Sequence, residues 1–157
     1  VKQTALVRRT PLRSRSPKRR RTWEQCSVRG CTRRPTVGGV CKSHGTLEAD
    51  RLFSLFVRGR DRRCIAEGAF GVRCNGNLQT MHLISRRYKA VRWNPQNARA
   101  GCAAHHTYLT LHPLEHDAWC ERILGPAHWR ALRDVAMHSP PADLAATLSW
   151  LRQEVAA

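Results

Sequence analysis

The stretch Leu78–Pro113, LQTMHLISRRYKAVRWNPQNARAGCAAHHTYLTLHP, decides how this chain is read. His82 ends a short run after Leu78, Asn97 follows fifteen residues later, and Cys102, His105 and His106 then form a Cys-x-x-His-His cluster. An imidazole titrates near neutral pH and can take a proton from water. An amide can tie a loop, and a further imidazole can position a divalent ion. In that order, these are the parts a single-ion hydrolytic site requires.

The surroundings suit a polyanionic substrate. The 157 residues carry 28 Lys+Arg against 11 Asp+Glu, a formal charge of +17. Such an excess points first to nucleic acid and second to an anionic membrane. No stretch approaches the 18 or so apolar residues of a membrane span, and no apolar h-region follows the basic start, so neither a span nor a signal peptide is expected. Nine basic residues, among them Arg8, Arg9, Arg19, Arg20 and Arg21, and no acidic one fall in residues 1–22. The segment RRTPLRSRSPKRRR has too little apolar surface to order itself, so residues 1–22 read as a disordered basic arm that binds phosphates without sequence choice.

Seven cysteines in a chain lacking an export signal favour metal over disulfides, with a cytoplasmic location expected. Cys26-x4-Cys31-x9-Cys41-x2-His44 supplies three thiols and an imidazole, with Gly38-Gly39 permitting the turn between the pairs. That is the donor set of a structural zinc finger, placed at residues 23–46. Cys64, Cys74, Cys102 and His105 form a second, looser zinc set. His106 competes with His105 for its fourth position, because side chains at i and i+4 share a helix face. Cys120 is left over as a small buried hydrophobe.

Leu52, Phe53, Leu55, Phe56 and Val57 predict a linking helix over 47–60, with Thr46 as N-cap. The Gly-rich Cys64–Gly76 segment predicts turns and short strands. Helices follow from Pro113 to Leu124, from Pro126 to a break at Ser139-Pro140-Pro141, and from Asp143 to about Glu154.

Met81-His82-Leu83-Ile84-Ser85-Arg86, Trp93-Asn94-Pro95-Gln96-Asn97, Cys102-Ala103-Ala104-His105-His106 and His112-Pro113-Leu114-Glu115 together resemble the HNH, or His-Me finger, endonucleases. The likeness is greatest to small zinc-containing members encoded by bacteriophages, and it covers roughly residues 64–115. It implies a small, zinc-stabilised α+β fold. A ββα-metal core over 61–112 would be flanked by the N-terminal zinc finger and by C-terminal helices over 113–157. His82 would be the general base and Asn97 would orient it. His106, helped by His112, would hold Mg²⁺ or another divalent ion beside two structural Zn²⁺. Arg86, Arg87, Lys89 and Arg92, with the arm, would contact phosphates. Many members carry Asp or His just before the catalytic histidine as a second metal ligand, where this chain has Met81.

The implied activity is hydrolysis of DNA phosphodiesters by a monomer or homodimer in the bacterial host cytoplasm. The alternatives are a non-catalytic zinc-dependent nucleic-acid-binding protein and a subunit of a phage recombination or packaging complex.

Overall fold

Residues 24–156 are described by the structure, a computed structural model. The basic arm, with Arg8, Arg9, Arg19, Arg20 and Arg21, lies outside the described residues. Among those described, the chain is a small α+β fold. In order come α1 (Lys42–Asp61), β1 (Leu78–His82), β2 (Ala98–Cys102), α2 (Ala103–Leu111), α3 (Pro113–Leu124), α4 (Pro126–His138) and α5 (Leu144–Ala156), with a short 3-10 turn at Pro95–Asn97.

The two strands form one antiparallel ladder in which Leu78 faces Cys102 and His82 faces Ala98. A two-stranded ribbon is marginal alone and needs packing against helices. Here α1 crosses the ribbon and buries Ala49, Leu52, Phe53 and Val57, an i, i+3, i+4, i+8 stripe. Ala98 and Ala100 of β2 are fully buried in that core, and α5 closes it with Leu148 and Leu151. A second core joins Met81, Leu83, Val91 and Leu109 to Trp119 of α3 and to Trp129 and Leu132 of α4. Met81 lies across Gly101, where a Cβ would overlap the methionine sulfur. The small residue in β2 therefore makes room for the large one in β1.

The C-terminal helices begin where their proline and aspartate signals put them. Pro113 and Pro126 stand at the first turns of α3 and α4. Asp143 accepts from the backbone N–H groups of Ala145 and Ala146 at 2.7 and 3.1 Å, capping α5. Two expectations are corrected. The first helix begins at Lys42 with Cys41 as N-cap, so Thr46 lies inside it and the stretch assigned to the zinc finger already contains its first turn. Between Cys64 and Gly76 the chain makes turns and no strand. No helix among the described residues is long and apolar enough to cross a membrane.

Candidate functional site

Cys26, Cys31, Cys41 and His44 bring their ligand atoms within 4.8 Å of one another, and so do Cys64, Cys74, Cys102 and His105. Tetrahedral zinc with sulfur at about 2.3 Å and nitrogen at about 2.0 Å requires ligand atoms roughly 3.5–3.8 Å apart. In the first cluster Cys26 Sγ and Cys41 Sγ lie 3.2 and 3.5 Å from His44 Nδ1, and Cys31 Sγ lies 3.9 Å from Cys41 Sγ. In the second, Cys64, Cys74 and Cys102 lie 3.5, 3.6 and 3.1 Å from His105 Nδ1. Both clusters therefore have the size and donor set of a structural zinc site and could each hold one ion.

The two clusters are built alike. In each, the third cysteine is a helix N-cap and the histidine follows at the third helical position, on α1 for Cys41 and His44 and on α2 for Cys102 and His105. In each, the N–H of that N-cap donates to the sulfur of the first cysteine, Cys41 to Cys26 at 3.2 Å and Cys102 to Cys64 at 3.3 Å. A helix N-terminus favours the negative charge that a ligating thiolate carries. Burial opposes ionisation of Cys102, but the backbone N–H groups of His105 and Asn75 outweigh it and bring the thiol down to about 6. Burial, reinforced by the neighbouring sulfurs, pushes Cys74 up to about 12. His105 is fully buried, and its Nε2–H donates to the Ala69 carbonyl at 3.3 Å, the outer contact that orients a ligating imidazole. The competition between His105 and His106 is thereby decided for His105.

His106 faces elsewhere. With His82 and His116 it lines a groove of about 810 Å³ between α1, β1 and α2, open to solvent and walled by Arg51, Ser54, Arg58 and Arg86. Among the described residues the side chains of Arg51, Arg58 and Arg86 have no hydrogen-bonded or ion-paired partner. The other nearby cations are engaged. Arg60 binds Asp61 and the Pro95 and Ala98 carbonyls, and Arg92 binds Asp50. The lining thus brings three guanidinium groups and three imidazoles together with the one carboxylate of Asp50, which Arg92 already engages.

His82 ends β1 and is half-buried, 5.8 Å from the Phe53 ring centroid. Its Nε2 lies 3.0 Å from the Arg92 carbonyl. A carbonyl only accepts, so the proton sits on Nε2 and the neutral ring keeps the lone pair on Nδ1. Burial is the main cause that holds the pKa of His82 below the usual histidine value, against the Arg92 carbonyl and the Asp50 carboxylate, which raise it. The result is a neutral base with one defined basic nitrogen.

The Arg92 carbonyl is itself held in place. The Arg92 guanidinium and the Trp93 indole N–H both donate to Asp50 Oδ1 at 2.9 Å, pinning the loop to α1. Burial raises the Asp50 pKa, but these bonds win and keep the carboxyl below its ordinary value. Arg92, expected to contact phosphate, has its guanidinium on Asp50, whereas Arg86 lines the groove. Arg87 lies over the Tyr88 ring at 5.0 Å, and Lys89 borders a separate cavity with Lys42 and Trp93.

Asn97 is fully buried and its side chain makes no hydrogen bond to His82. Its Oδ1 accepts from the Ile84 N–H at 2.7 Å, and its Nδ2 donates to the Ile84 and Val91 carbonyls at 2.9 Å. It therefore acts through the loop, by fixing the residue next to Arg92, and not by holding the ring directly. Asn97→Ala leaves the Ile84 N–H and C=O without partners and the Val91 carbonyl with the Asn94 N–H alone, and should cost about 2–4 kcal/mol, measured by urea unfolding.

His112 is corrected outright. It is exposed, its Nδ1–H donates to the Tyr108 carbonyl at 2.8 Å, and its ring stacks on Tyr108 at 4.0 Å. His116, one turn further along α3, is the histidine that reaches the groove. The sequence reading did not single out Arg51 or Arg58. The signal for the arginines was present, since positions 51, 54 and 58 share the polar face opposite Leu52, Phe53 and Val57. No family model, no curated protein and no solved structure matches this chain.

Proposed function

We propose that the protein is a metal-dependent DNA endonuclease of the HNH, or His-Me finger, type, with β1, the loop to Asn97, β2 and α2 serving as its ββα-metal core. The observation that carries this reading is His82. Its tautomer is fixed by the Arg92 carbonyl, and its ring lines a groove shared with two further imidazoles and three arginines.

Nδ1 of His82 takes a proton from a water molecule as the water oxygen forms its bond to phosphorus. The P–O3′ bond breaks and the electron pair leaves with the 3′ oxygen, which takes a proton from bulk water, giving 5′-phosphate and 3′-hydroxyl ends. His106 donates Nδ1–H to Gln79 Oε1 at 2.8 Å, which leaves Nε2 as the donor atom for a divalent ion. Such an ion would supply charge neutralisation at the scissile phosphate and at the leaving oxygen. Arg51, Arg58 and Arg86 take the flanking phosphates. Positions 51 and 58 are two helical turns apart, about 10 Å along the axis, so one strand of backbone can engage both.

Plasmid cleavage with Mg²⁺ or Mn²⁺ tests the reading, comparing wild type with His82→Ala. Cutting by wild type alone supports it. A second reading has its own observation in Met81, a buried thioether beside His82 that is a poor ligand for a hard ion. Tight duplex binding without cutting in any divalent ion would favour that non-catalytic, zinc-dependent nucleic-acid-binding module. Under either reading Arg51→Ala and Arg58→Ala should weaken DNA binding whatever the sequence. Each should lower the slope of log K against log salt by about 1, read by anisotropy titration at several salt concentrations.

A further inference from the structure

Beneath the groove, between β1 and the α2–α3 corner, lies a recess of about 150 Å³ lined by Met81, His82, His106, Leu109, Thr110, Pro113 and His116. Its chemistry is unusual for a packed corner. Three imidazoles meet there with no carboxylate and no cationic side chain in the lining. Met81 gives nothing to a cation, because its thioether is buried against Gly101 and the second core. The Thr110 hydroxyl is already committed to the His106 carbonyl at 2.7 Å.

Each of the three rings has one nitrogen engaged by the protein. For His82 it is Nε2 on Arg92 O, for His106 Nδ1 on Gln79 Oε1, and for His116 Nε2 on Cys120 Sγ at 3.4 Å. A histidine held through one nitrogen presents the other in a fixed direction, which is how metal-ligating imidazoles are oriented in proteins. The His116 partner is also fixed, since Cys120 is fully buried in the second core, and Trp119 packs beside the His116 ring at 6.5 Å between centroids. The single residue His112 joins α2 to α3, so His106 and His116 stand on two helices held at a rigid corner.

We propose that His116 is the second protein ligand of the divalent ion bound by His106, taking the coordination place that Met81 cannot fill. This rests on the ion site of the preceding reading and adds to it a ligand from α3, outside the stretch that resembles other nucleases. Two neutral imidazoles select a borderline ion such as Ni²⁺, Co²⁺ or Zn²⁺ over Mg²⁺. The recess opens into the groove's lining at His82, His106 and His116, so an ion there could keep water ligands.

Isothermal titration of Ni²⁺ into zinc-loaded full-length protein, with zinc content measured before and after, tests the assignment. Wild type should bind one Ni²⁺ per chain without losing zinc. His106→Ala and His116→Ala should each weaken binding by at least about tenfold, whereas His82→Ala should leave it within about twofold. His116→Gln is the second variant, and the thermal midpoint and zinc content report that both position-116 variants are folded. Wild-type Ni²⁺ affinity in folded His116→Ala and His116→Gln would overturn the assignment. Absence of Ni²⁺ binding in a wild type that still cuts DNA in a His82-dependent manner overturns it too, and leaves the nuclease reading standing. Ni²⁺ binding that requires both histidines in a protein that never cuts keeps the ion site and removes the nuclease.

Discussion

Stripping the metal with a strong chelator at neutral pH should release two zinc ions per chain and abolish the cooperative thermal transition. The expectation follows from what else holds the two clusters. Between Glu24 and Cys41 the described chain has only turns, bends and one isolated bridge, Val37 to Val40. Apart from Cys26 and Cys41, none of its residues is fully buried, so it has no apolar core of its own. The second cluster ties the Cys64–Gly76 turns to the end of β2 and the start of α2, where Cys102 and His105 are both fully buried. Structural zinc contributes roughly 10–16 kcal/mol in small sites, as much as or more than the 5–15 kcal/mol net stability of a typical domain. Cys102→Ser and His105→Ala should therefore each lose one zinc and unfold the strand–helix core. His106→Ala should keep both zincs. Metal analysis by atomic emission with circular dichroism separates these outcomes, and loss of zinc in His106→Ala would contradict the ligand set.

Replacing His82 by alanine should slow DNA cleavage by about 10²–10⁴-fold, the usual contribution of a positioned general base. DNA affinity and zinc content should stay near wild type, because the ring makes one protein hydrogen bond and no cluster contact. The pH profile supplies the second signature. The base works in its neutral form, and burial holds its pKa below the ordinary value of about 6.5. The wild-type rate should therefore fall with a midpoint on the acid side of that ordinary value. A profile that halves at or above the ordinary value would place the proton on another group.

Much of this arrangement was legible in the sequence, for reasons that are local. Pro113, Pro126 and Asp143 mark helix starts through their own backbone and capping chemistry, and α3, α4 and α5 begin there. Cys41-x2-His44 and Cys102-x2-His105 were readable because two donors three residues apart at a helix start must converge. The start of α1 was misplaced at Thr46, since the structure uses Cys41, a metal-type donor, where a hydroxyl or carboxylate cap is the usual mark.

The remaining misses depend on distant partners. Arg92 looked like a phosphate contact until Asp50, on a different element, took its guanidinium. Of His112 and His116, four apart in sequence, only the packing of α3 against α2 decides which turns inward. Asn97 was read as the residue that orients His82, but its actual partners, Ile84 and Val91, need the fold of the loop to be seen.

The central claim is that His82 is the base for hydrolysis of a DNA phosphodiester. The most direct measurement incubates supercoiled plasmid with zinc-replete wild type and His82→Ala, in Mg²⁺ and in Mn²⁺, at matched DNA occupancy. Wild type is predicted to convert the plasmid to nicked or linear DNA with 5′-phosphate ends, and His82→Ala to do so at least about a hundredfold more slowly. Equal cutting by the two proteins, or 5′-hydroxyl ends, would contradict the account.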